Sequence, residues 1–239
     1  MTKEQSINTK DKLDFAVQGI SISEKGFNEI ISQFLVYFKK CGFVEGDFRH
    51  YHLSMLLQTL IYTKFQRDVF LEEVNNDNKK IEIYLKGLGD RNLHGFLHQF
   101  DLLNRANFAT LFNFQFEIIT KEILKEMKIN FTDDYYSCVK SLLEEIYPNV
   151  EERTKKRRTL MTMAQIRNSL HQSGIHTSKY EFEIELDKIK FKFETGKKIN
   201  QTSWGHLLII AKSMLEILIE IFSSKKIQNI PFVAKKRIK

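Results

Sequence analysis

Arg167, Asn168 and His171, in the stretch RNSLH, are the residues whose types and spacing come closest to a chemical site. Four steps along a helix put Arg167 and His171 on one face with their Cβ atoms about 6 Å apart, and Asn168 sits one position round. A guanidinium can hold two nonbridging oxygens of a phosphodiester, and an imidazole can move a proton near neutral pH. The trio therefore suits work on one phosphate. It also suits a plain helix end, because cations near the last carbonyls interact well with the helix dipole.

Further candidates surround it. His176, nine residues after Arg167 and past Gly174, could fold back as an additional imidazole. An earlier stretch, RNLHGFLH, repeats the theme with Arg91, Asn92 and His98. Upstream of the trio, Arg153, Lys155, Lys156, Arg157 and Arg158 put five cations into six positions, which costs helix stability through mutual repulsion that a polyanion would relieve. Such a run gives salt-sensitive, sequence-tolerant affinity for nucleic acid, and it is also an ordinary solvated helix face. The pairs His94 and His98, and His50 and His52, have no Cys or carboxylate at a recognisable interval, so no metal site is expected. There is no Gly-rich phosphate loop, no GxSxG and no informative pair of carboxylates, and no cofactor is expected.

The elements that must position these residues are helical. In 239 residues there are 20 Phe, only 2 Pro and 10 Gly, which favours long uninterrupted helices around one apolar core. Phe27, Ile30, Ile31, Phe34, Leu35 and Phe38 mark a first helix, and a longer one starts near Asp47. KIEIYLKGLGD reads as a turn. Phe108, Leu111, Phe112, Phe116, Ile119 and Ile123 line a central helix, kinked or split in two. Asp133 or Asp134 caps the next helix, which Pro148 and Asn149 end. A helix over about 151–172 carries the trio and is closed by Gly174. KYEFEIELDKIKFKF alternates as a hairpin with Asp187 and Lys188 between its arms, and Thr202 or Ser203 starts the last strong helix.

The fold class is thus mainly α, a helical bundle with one β-hairpin, at about 179–194, between the last two long helices. Residues 1–22 are expected to be a flexible lead, 23–224 one domain and 225–239 a basic tail. The charge of +7, from 37 Lys and Arg against 30 Asp and Glu, suits a polyanionic partner. Two cysteines without metal spacing and a polar start point to a reducing, cytoplasmic setting. The most apolar stretch, LLIIAKSMLEILIEIF, is interrupted by Lys212, Ser213, Glu216 and Glu220, so no membrane span is expected.

An Arg followed by Asn, then a His a short interval later, near the end of a late helix in an all-α chain, resembles the HEPN superfamily. The resemblance is general over the helical part of the chain and specific only at Arg167, Asn168 and His171, where three residues separate Arg from His and the family commonly has four to six. It implies a metal-independent endoribonuclease of a toxin or defence type. Two subunits of a homodimer would bring their Arg-His helices together, and RNA would be cut by its own 2′-OH, with an antitoxin or activator as a further partner. A non-catalytic interaction or RNA-binding protein with an inactive fold of this kind is the alternative.

Overall fold

The computed structural model describes residues 25–75 and 90–231. Within them the chain forms α1 (residues 25–40), α2 (Phe48–Asn75), α3 (Asp90–Glu126), α4 (Tyr135–Ile146), α5 (Val150–His171), β1 (Phe182–Leu186), β2 (Ile189–Phe193), α6 (Trp204–Ser223) and α7 (Lys225–Gln228). The architecture is a helical bundle with a single antiparallel hairpin between α5 and α6. The central aromatic segment is one continuous helix, α3. The turn expected at KIEIYLKGLGD falls mostly outside the described residues.

Local chemistry sets the helix ends. Asp134 accepts a hydrogen bond from Ser137 N at 2.9 Å and caps α4. Asn149 does the same for Glu152 N at 3.0 Å, and Glu151 and Glu152 place negative charge in the first turn of α5. Ser203 caps α6 through His206 N. After α5 the chain turns through Ser173 and Gly174, whose φ values are 55° and 84°, and Gly174 N donates to Ser169 O at 2.7 Å.

The bundle is organised around α5. Every residue from Thr159 to Ile166 is buried, so this part of α5 is enclosed on all sides. It packs against α3, α4, α6 and β1. Its hydroxyls are satisfied locally: Thr159 donates to Lys155 O at 3.1 Å, Thr162 to Arg158 O at 2.8 Å and Ser169 to Gln165 O at 2.8 Å, whereas the Gln165 side-chain oxygen has no hydrogen-bond partner among the described residues. One apolar cluster takes residues from every described helix and both strands.

The hairpin lies on this core by strict alternation. Phe182 pairs with Phe193, Ile184 with Phe191 and Leu186 with Ile189, and all but Ile189 are fully buried; Glu183 faces Lys192 and Glu185 faces Lys190 outside. Asp187 and Lys188 adopt φ values of 48° and 63°, as a two-residue turn with the twist of the strands requires. Below the strands, Ile175 bridges to Lys198, so the chain leaving α5 pairs with the chain leaving β2.

The folded region runs past residue 224. Ile227 and Ile230 are buried, and Arg49 Nη1 donates to their carbonyls at 2.9 and 3.1 Å while its Nε and Nη2 grip Asp47. The first part of the basic tail is therefore docked, because two apolar side chains there find the core and a buried Arg satisfies the carbonyls of its last turn.

Candidate RNA site at the end of the central helix

Burial of α5 ends where the candidate trio begins. Ile166 is fully buried, Arg167 is partly buried, and Asn168 and His171 are exposed. Arg167 Nε and Nη2 both donate to Asn168 Oδ1, at 3.1 and 2.9 Å. The two neighbours in sequence thus lock together, and Asn168 holds the guanidinium in one orientation. No carboxylate among the described residues forms an ion pair with Arg167.

Glu117 of α3 is bound by Lys121 at 2.9 Å, and Lys121 also reaches Asp133 at 2.8 Å. Those two carboxylate contacts raise the Lys121 ammonium above the usual lysine range. Tyr135, on which the charges of both Glu117 and Arg167 act, has an enclosed hydroxyl with no hydrogen-bond partner among the described residues. Burial pushes that phenol up and the Glu117 charge adds to the rise, while the Arg167 charge opposes it. A guanidinium without a carboxylate partner among the described residues, with only Nε and Nη2 engaged by Asn168, offers donors of the kind a phosphate group needs.

His171 is the last residue of α5 and projects from its exposed end. It makes no hydrogen bond with the described residues. His176 is placed differently: it is 1% exposed, its Nε2 is 3.2 Å from Tyr180 O, and its ring meets Phe193 edge-on at 5.6 Å. The bridge that joins the segments below the hairpin draws His176 into the core, so the structure gives it a packing role and leaves it out of the open face. His98 is exposed on α3. The side chains of its companions Arg91 and Asn92 lie outside the described residues, as does that of His94.

The basic run divides. Lys156 is bound by Glu220 and by Glu152 and lies over the Tyr147 ring at 4.6 Å. Arg157 lies over the Tyr136 ring at 5.2 Å. These two are engaged in holding α5 to α4 and α6. Arg153, Lys155 and Arg158 make no ion pair with the described residues, and Lys155 and Arg158 are exposed. They lie about 15–20 Å along α5 from the Arg167 end, at 1.5 Å per residue, with the enclosed turns between. The cations and the trio are two separate surface features at opposite ends of one helix.

No group of three or more metal-ligating side chains occurs among the described residues. His50 packs on Phe38 at 4.9 Å, and His52 is buried with Nε2 3.1 Å from Glu122 Oε2. None of the described helices is long and apolar enough to cross a membrane.

The largest polar features that spacing alone did not single out are on α2. Arg49 forms the buried fork with Asp47, and Arg67 lies over the Trp204 ring at 4.6 Å. A signal was available: Arg49, Leu53, Leu56, Leu60, Thr63 and Arg67 recur at alternating steps of four and three, which puts both cations on the buried face.

Comparison of the chain with protein-family models, with curated proteins and with solved structures gave no match.

Proposed function

We propose that the protein binds RNA at the exposed end of α5 and cuts it by metal-independent transesterification. The observation that carries this reading is the Arg167 guanidinium, held in place by a neutral acceptor and left without a carboxylate partner beside an exposed imidazole. In the reaction His171 takes the proton of a ribose 2′-OH as that oxygen attacks the adjacent phosphorus. Arg167 stabilises the charge that gathers on the phosphorane oxygens. The P–O5′ bond breaks and the leaving oxygen takes up a proton, giving a 2′,3′-cyclic phosphate and a 5′-OH. The HEPN resemblance supports two such ends working together in a homodimer of toxin or defence type, controlled by an antitoxin or activator. Arg153, Lys155 and Arg158 add sequence-tolerant attraction for the RNA backbone at the other end of the helix.

One observation favours a second reading, a protein that binds RNA without cutting it. No described residue hydrogen-bonds to His171, so no neighbour fixes its tautomer or ring orientation, as a proton-transfer role commonly requires.

Incubation of the purified protein with total RNA in EDTA tests both. Cleavage by the wild type that is lost in Arg167→Ala and His171→Ala is the result expected for the enzyme. Binding without cleavage, weakened by Arg167→Ala and indifferent to His171→Ala, would replace it with the second reading. Equal cutting by all three proteins rejects the site.

A further inference from the structure

One stripe of α5 runs from the cations to the candidate trio. Arg153, Arg157, Ala164, Asn168 and His171 follow one another at steps of four, seven, four and three, which places them within about 60° of one another around the helix. Arg153 and Arg157 are half-buried, Asn168 and His171 are exposed, and Ala164 between them is buried.

Two tyrosines connect the ends of this stripe. The ring of Tyr136, the second residue of α4, lies under the Arg157 guanidinium at 5.2 Å. The ring of Tyr180, two residues before β1, meets Tyr136 edge-on at 5.2 Å. Tyr180 O is in turn 3.2 Å from Nε2 of His176, in the segment that leaves α5. Contact by contact, the pair leads from the cations toward the far end of the helix. Both tyrosines are half-buried, and their hydroxyls have no hydrogen-bond partner among the described residues; unlike that of Tyr135, neither is enclosed.

We infer that Tyr136 and Tyr180 form a base-stacking subsite for unpaired nucleotides, set between a cationic end that holds the RNA backbone and the Arg167 end. This rests on the RNA reading and narrows its substrate to RNA with unpaired bases. The charges around the rings support it. Arg157 meets an aromatic face instead of a carboxylate, and its Nε is enclosed without a hydrogen-bond partner among the described residues. Arg153, Lys155 and Arg158 form no ion pair with the described residues. The carboxylates next in sequence are occupied: Glu152 faces Lys156 at 3.4 Å, and Glu181 accepts from Thr195 N at 2.8 Å. Cations without counter-charge beside partly open rings are the means by which proteins hold single strands with little sequence preference. Paired bases offer no free face to such rings.

Fluorescence anisotropy tests the subsite, using a labelled single strand whose 2′-O-methyl groups prevent cutting, and the same strand annealed to its complement. The wild type should prefer the single strand. Tyr136→Leu and Tyr180→Leu keep apolar bulk but remove the ring, and each should weaken that binding about fivefold or more. Tyr136→Phe and Tyr180→Phe, which keep the ring, should lose less. Melting temperatures show whether each variant is folded, and cross-linking of the wild type to a strand bearing 4-thiouridine, mapped by mass spectrometry, needs no variant and should mark Tyr136 or Tyr180. Equal affinity for paired and unpaired RNA overturns the subsite. So do folded Leu variants that bind as the wild type does, or cross-links that fall elsewhere; if Arg167→Ala still weakens binding, the RNA reading then stands without the subsite. Loss in the Leu variants with Arg167→Ala indifferent keeps the subsite and removes the α5 end. A wild type that binds neither strand ends both.

Discussion

Asn168 Oδ1 receives two hydrogen bonds from the Arg167 guanidinium, so the cation at the end of α5 is steered by a neutral group. Asn168→Asp would keep the shape and add a negative charge at the same oxygen. A carboxylate there neutralises the guanidinium and repels phosphate. Asn168 is exposed, so the fold should be unaffected. RNA binding measured by fluorescence anisotropy should weaken at least about tenfold, roughly 1.4 kcal/mol, whereas Asn168→Ser should stay closer to wild type.

Arg49 anchors the end of the described chain. Its guanidinium is buried against Asp47 and the carbonyls of Ile227 and Ile230. Arg49→Met leaves the Asp47 carboxylate buried without its counter-charge, a loss of about 3–5 kcal/mol. The urea midpoint should fall accordingly. Pairing it with Asp47→Asn should recover part of the loss, because the stranded charge is gone.

His206 gives the fold a pH dependence of known sign. Its ring packs on Phe191 at 5.8 Å, with Nδ1 2.7 Å from Ser203 Oγ, and burial lowers its pKa. The unfolded chain takes up a proton near pH 6.5 while the folded protein still resists it. The unfolded state then binds more protons, so this group removes stability as the pH falls below about 6.5, until the folded pKa is passed. Between pH 7 and 5 the urea midpoint should drop less in His206→Gln than in the wild type.

Much of the fold was legible in short-range pattern. The steps of three and four fixed the helices, the alternation around Asp187 and Lys188 fixed the hairpin, and Asp134, Gly174 and Ser203 fixed ends where they were expected. Each signal concerns neighbours within about one turn or one strand pair, whose geometry the backbone imposes whatever surrounds it. The spacing of Arg167 and His171 belongs to the same class.

What those side chains face was decided elsewhere. Lys156 is taken by Glu220, 64 positions away, and Arg49 by carbonyls 178 and 181 positions away. His176 was drawn into the base of the hairpin, and the cations of 153–158 were divided between packing and solvent. The sequence by itself determined the elements and the residue types they carry, because those follow from local backbone geometry. Only the tertiary structure decided which charges keep their freedom, because that depends on which distant groups the packed core brings within reach.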